Sequence, residues 1–185
     1  MNFRQSKVIA ILLILLVVAL TIFSAKVDVR EILNFIGVSG IYGYIAAVII
    51  ALSGGVSVAT TASFYAAIGI LAVSGLDPLI LALVTAPALI IGDYIFYYLA
   101  RRGKEAILEK NNKYVNKIKR FIGGKSQFFI GSFVYFYAGL TPFPSDILMV
   151  SLAVFEIRFR RIVLPLFLGH VTLVTLIGLL GGLIT

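Results

Sequence analysis

An all-α, polytopic membrane protein is the fold class this sequence predicts, and three observations predict it. Hydrophobic residues fill 61% of the 185 positions and charged residues 13%, where soluble domains run at about 45–50% and about 25%. The mean hydropathy is +1.07. Long uncharged stretches alternate with short charged segments, and about 20 apolar residues suffice to cross the hydrocarbon core of a bilayer. The basic residues behind the net charge of +8 sit beside those stretches. That pattern fits cytoplasmic loops and anionic lipid headgroups, and nucleic acid is not expected as a partner. A chain without cysteine has no disulfide framework and no thiolate metal or redox site. Its length suits one compact membrane domain.

The first element is a transmembrane helix over 8–25, uncharged and rich in Ile, Leu and Val, with Arg4 and Lys7 before it. Its basic start and the small residues at Ser24-Ala25 also fit a signal peptide. An uncleaved anchor is the reading that agrees with the rest of the chain. Residues 27–37 place Val29, Ile32, Leu33 and Ile36 at helical spacing with Asp28, Arg30 and Glu31 between them, which makes an amphipathic helix on the membrane surface. Residues 38–76 carry no charge and are too long for one span. Their middle, Ser53 to Ser63, is small, hydroxylated and glycine-rich. It is either a turn between two ordinary helices or the tip of a re-entrant hairpin, and irregular backbone at that depth needs cover from protein or a watery cavity. Asp77-Pro78 closes this unit, and 79–100 is a transmembrane helix containing Pro87 and Asp93.

Residues 101–125 are the one long polar stretch. Nine basic residues face only Glu105 and Glu109, and apolar residues recur at helical spacing, so a basic amphipathic helix is expected. Residues 126–155 are apolar but broken at Thr141-Pro142-Phe143-Pro144-Ser145-Asp146. Two prolines so close cannot lie in one continuous helix, so this is the clearest hairpin tip in the chain. A last transmembrane helix covers 162–184, with Pro165, Gly169 and His170 inside it. With basic segments on the cytoplasmic side, the N-terminus lies inside, hairpin 38–76 enters from outside and hairpin 126–155 from inside. After the first helix, the chain therefore reads as an inverted repeat of amphipathic helix, hairpin and spanning helix. Charge bias and breaker positions carry this inference, with no residue-level repeat behind it.

Candidate functional residues are the polar groups stranded in apolar surroundings. Asp146 leads, because an intramembrane carboxylate usually faces a cavity or a partner. Ser145, Pro142 and Pro144 shape the broken backbone around it. Its competing structural role is to cap the helix that starts at Ile147. Asp93 suits proton relay or a cationic partner, and equally a bond to a tyrosine or a neighbouring helix. His170, the only histidine, has a side chain that titrates near neutrality but also serves as a packing residue. Ser53 and Ser57, with Thr60, Thr61 and Ser63, line a polar path or simply let helices pack closely. Arg101, Arg102, Lys113 and Lys117 are headgroup contacts or a solvated face. One histidine and no cysteine, without a His-Glu-x-x-His motif, argue against catalytic zinc; no cofactor and no enzymatic activity are expected.

Gly92-Asp93-Tyr94 through Tyr98-Leu99-Ala100-Arg101-Arg102-Gly103 resembles the Gly-Asp…Tyr…Gly-Arg…Gly signature of DedA proteins, the VTT or SNARE-associated superfamily. Residues 141–146 followed by Gly169 are similar to that family's second hairpin and flank, and Ser53 to Gly75 falls where it has its first. The resemblance covers about residues 38–182. It implies two opposed re-entrant hairpins and transport of lipids or polyprenyl-phosphate carriers between leaflets, with proton coupling in bacterial members and scrambling in eukaryotic ones. The chain departs from the family at Ser53-Gly54-Gly55-Val56, where an acidic residue and prolines are common. It departs again at the second hairpin, where family arginines are replaced by Tyr137-Ala138-Gly139 and an aspartate. Membrane lipids are the partners expected, with anionic headgroups at the basic helix; a homo-oligomer stays open. Two other functions fit the same sequence: a small proton-coupled exporter of drugs or ions, and a non-transporting membrane organiser.

Overall fold

The computed structural model describes residues 40–54, 58–103, 125–141, 143 and 145–183. Within them the chain is all-helical and has no strand. The helices are α1 (Ile41–Gly54), α2 (Val58–Val73), α3 (Pro78–Arg102), α4 (Gln127–Leu140), α5 (Ser145–Val154) and α6 (Val163–Leu183), with a 3₁₀ turn at Phe159–Arg161 before α6. The expected first span, the surface helix at 27–37 and most of the basic helix lie outside the described residues.

Among the described residues two helices, α3 and α6, are long and apolar enough to cross a membrane, with mean hydropathies of 2.1 and 2.2. The other four have 14, 16, 14 and 10 residues. At 1.5 Å per residue they reach about 15–24 Å, short of a hydrocarbon core of about 30 Å.

Local chemistry sets the helix ends. Asp77 accepts hydrogen bonds from the backbone N–H groups of Leu79 and Ile80 at 2.8 and 2.9 Å, and Pro78 takes the first helical position, so α3 starts there. Arg101 and Arg102 belong to the last turn of α3, where they complement its dipole, and not to the start of the basic helix. Ser126 caps α4 by accepting from Phe129 N–H. Between Leu140 and Ser145 the helix is broken, at the expected pair of prolines. The structure narrows the polar segment at 53–63. Val58 to Ser63 belongs to helix α2, so the small, hydroxylated segment is much less of a loop than its composition suggests. Alanine and β-branched residues there tolerate helix, and burial of Phe64, Ile68 and Leu71 favours it.

The ends of α2 and α5 are built alike. Gly75 has φ +97°, its N–H donates to Ala72 O at 3.0 Å, and Leu76 N–H donates to Leu71 O at 3.3 Å. Glu156 has φ 63°, its N–H donates to Ala153 O at 3.1 Å, and Ile157 N–H donates to Leu152 O at 3.0 Å. Each is a left-handed helix stop with paired return bonds. The residues before the two stops match as well: Leu71-Ala72-Val73 and Leu152-Ala153-Val154.

Helices α3 and α6 pack antiparallel. Gly178 meets Pro78, His170 meets Asp93, and the Ile157 carbonyl just before α6 accepts from Tyr97 Oη at 2.7 Å. Helix α1 starts beside the start of α3, where Asp77 N–H donates to Tyr44 Oη at 3.1 Å, and packs along it. Helix α4 runs with α6, with Gly131 against Pro165 and Gly139 against Gly169. Helix α2 packs on α6, and α5 packs on α3. Exchanging α1, α2 and α3 for α4, α5 and α6 thus leaves the pattern of main contacts unchanged. Glycines make the closest crossings. A Cβ on Gly169 would come within 2.8 Å of Ala138 Cβ, and one on Gly181 within 3.1 Å of Gly69 Cα. Such small-residue contacts suit helices that associate without a hydrophobic drive.

Two apolar clusters result. One joins Ala47, Ala51, Phe64, Ile68 and Leu71 to Leu81 and Val174. The other joins Val134, Met149, Leu152 and Leu166 to Tyr97 and Ala100. The outer surface is also apolar: Phe128, Ile41 and Leu164 are 84%, 69% and 65% exposed. A soluble monomer rarely displays apolar surface so widely.

Candidate functional site

Thr85, Asp93, Asp146 and His170 are buried, at 0%, 0%, 9% and 6% exposure. Helix α3 carries Asp93 on its buried face, one turn beyond Leu89 and one before Tyr97. Helix α6 carries His170 next to Gly169, the residue that lets α4 approach. The antiparallel crossing brings His170 Nε2 to 2.7 Å from Asp93 Oδ2, across 77 positions of sequence. A buried carboxylate is costly unless paired, and this pair satisfies one of its oxygens. Asp93 Oδ1 has no hydrogen-bond partner among the described residues. Thr85 turns its hydroxyl onto Leu81 O at 2.7 Å, within its own helix.

His170 also lines a cavity of about 20 Å³. Thr61, Phe64 and Tyr65 of α2 contribute to its wall, as do Leu89 of α3 and Ala138 of α4. Phe143, Ser145 and Asp146 close it from the second hairpin. A volume of about 10–15 Å³ holds one water, so the cavity is water-sized. Its polar lining groups are a carboxylate, an imidazole and three hydroxyls. Asp146 lies in the first turn of α5, where the helix dipole favours a negative charge. The helix begins at Ser145, so Asp146 is inside it and not the residue before it. An imidazole with a carboxylate on one nitrogen and a polar cavity beside the ring has the groups needed to pass a proton between them.

Of the residues singled out from sequence, Asp146, Ser145 and His170 therefore share one cavity, with Asp93 directly behind His170. Ser53 sits in the last turn of α1, away from the cavity lining, and donates to Ile50 O at 2.8 Å. Arg101 donates to Tyr97 Oη at 2.9 Å, and the Arg102 guanidinium lies 5.0 Å from the Tyr98 ring centroid. Both arginines thus anchor the end of α3 on aromatic rings. Ser57, Pro142, Pro144, Lys113 and Lys117 lie outside the described residues. Among the described residues, no three of His, Asp and Glu form a metal-binding group. Sequence reasoning missed Tyr65 and Phe64. Thr61 and Tyr65 are one helical turn apart and share a face, a spacing that would have pointed to Tyr65.

Comparisons with protein-family models, with characterised proteins and with solved structures find no match to this chain.

Proposed function

We propose that this chain is a multi-pass membrane transporter that moves lipids, or lipid carriers of the polyprenyl-phosphate type, between leaflets. The observation that carries the reading is the water-sized polar cavity of Asp146 and His170, buried where the ends of α2, α4 and α5 converge on the middle of α3 and α6. Polar groups enclosed by an apolar exterior reverse the arrangement of a soluble protein and match intramembrane sites. The inverted-repeat reading draws support from the exchangeable contact pattern, the antiparallel α3 and α6, and the matching stops after Val73 and Val154. Four helices too short to span support two re-entrant hairpins. Inverted repeats with mid-membrane sites are a recurring plan in transporters, and the DedA resemblance points the same way.

The cavity is too small for a headgroup, so transport requires the hairpin tips to part. Asp146 and Ser145 then meet the polar headgroup, and the Asp93–His170 pair holds or releases a proton. The test is translocation of fluorescent phospholipid and polyprenyl-phosphate probes in liposomes containing the purified protein. Asp146→Asn keeps shape and removes charge; its rate is expected to fall about tenfold, the equivalent of 1.4 kcal/mol on the barrier. Normal rates in both Asp146→Asn and Asp93→Asn would refute the site.

The water-sized cavity beside a histidine–carboxylate pair favours one second reading, a proton-coupled exporter of drugs or ions. Substrate-dependent pH change in sealed vesicles, without lipid movement, would select it.

A further inference from the structure

The arms of the first hairpin, α1 and α2, pack against each other, whereas α4 and α5 scarcely touch. Between α4 and α5 lies an apolar groove of about 410 Å³. Phe129, Phe133 and Tyr137 form one wall, and Ile147, Leu148 and Leu152 form the other. From Lys125 to Tyr137 the groove follows α4 for about 18 Å at 1.5 Å per residue. That is the length scale of a fatty acyl chain.

Charge distinguishes the two ends of the bundle. Lys125 lines the groove together with Phe155 and Ile157, and its ammonium is 5.0 Å from the Phe129 ring centroid. Arg158, Arg160 and Arg161 follow directly after Ile157. Arg101 joins them through Tyr97, whose hydroxyl bonds Ile157 O. Glu156 is the one acidic residue among the described residues of this end. At the opposite end, where α1 and α3 begin and α6 ends, Asp77 is the one charged residue among those described. The groove therefore opens on a basic rim and runs inward between apolar walls.

We infer that the open second hairpin binds one acyl chain of an anionic glycerophospholipid from the leaflet at the basic end, with the lipid phosphate at Lys125. A phosphate beside clustered Lys and Arg gains charge-assisted hydrogen bonds, and the tail fills space that the described side chains leave unfilled. The inference deepens the lipid reading above and rests on its membrane placement.

Photo-crosslinking tests it. Purified full-length protein is placed in liposomes with phosphatidylglycerol carrying a diazirine near the end of its acyl chain, irradiated, and the labelled peptides are mapped. Label is expected on 129–137 and 147–152, competed by unlabelled phosphatidylglycerol and far less by phosphatidylcholine. Ser151→Trp, which fills the groove, is expected to reduce labelling about tenfold. Ile147→Trp, at an exposed position on the same wall, serves the same purpose should Ser151→Trp not fold. Lys125→Glu is expected to abolish the preference for the anionic lipid. Label spread evenly over the exposed faces of α1 and α6, or unchanged in both tryptophan variants, would overturn the inference. A disulfide-linked dimer of Phe133→Cys, the only cysteine in that chain, formed with loss of lipid label would also overturn it in favour of a second copy. Translocation measured on the same liposomes separates the two proposals. Transport without groove labelling refutes the groove alone, and groove labelling without transport leaves the groove standing and refutes the transport reading.

Discussion

The two hairpins share a plan and differ in how tightly they close. In the first, Ala47 and Ala51 of α1 present small faces, and Phe64, Ile68 and Leu71 of α2 fill the space against them. In the second, the small residues of α4, Gly131, Ala138 and Gly139, are used against α6. What α4 turns toward α5 is Phe129, Phe133 and Tyr137, and α5 has only 10 residues with which to cover them. One hairpin is therefore part of the packed frame, and the other has room to move. The lesson is that two helix pairs can pack on equivalent partners while the placement of glycine and alanine decides which pair stays open.

Three tests would break or sharpen this contrast. The largest effect is expected at the junction both hairpins share. His170→Leu leaves Asp93 buried without its partner, and loss of one member of a buried pair costs about 3–5 kcal/mol. Thermal unfolding in detergent should show the loss. Adding Asp93→Leu should recover most of it, because the unpaired charge is then gone; no recovery would mean that the pair does not bear on stability. Next, Phe64→Ala should cost about 3 kcal/mol, the low end of the aqueous range, since lipid does not penalise an exposed ring as water does. Phe133→Ala, on the open hairpin, should stay within about 0.5 kcal/mol. Equal losses in the two variants would remove the contrast. The smallest effect is a gain. Glu156 occupies the left-handed position that Gly75 fills in the first unit, and relief of that backbone cost is worth about 1 kcal/mol. Glu156→Gly should raise the melting temperature correspondingly, and a fall would mean that its side-chain contacts outweigh the strain.

Much of the fold is legible in the sequence because its signals are local. The spans expected at 79–100 and 162–184 correspond to α3 and α6, and the break at 141–144 falls where two prolines forbid helix. The segment from Ser53 to Ser63 left two readings open, because small and hydroxylated residues suit a loop and a tightly packed helix equally; Val58 to Ser63 are helical. No residue-level repeat was legible in the sequence. Leu71-Ala72-Val73 and Leu152-Ala153-Val154 gain meaning only once both are seen to precede a left-handed stop.

Alone, the sequence determined that the chain is helical, apolar enough for a bilayer, broken at proline and glycine, and burdened with a few polar groups in apolar surroundings. These properties depend on residues within a turn or two of each other, where spacing and propensity act directly. Only the tertiary structure decided that His170 meets Asp93, that Asp146 shares a cavity with His170, that Ser53 does not line it, and that one helix pair packs together while the other leaves a groove. Spacing along a helix shows which residues share a face. Which face meets which neighbour depends on where the helices cross, and here glycines on separate helices set those crossings together.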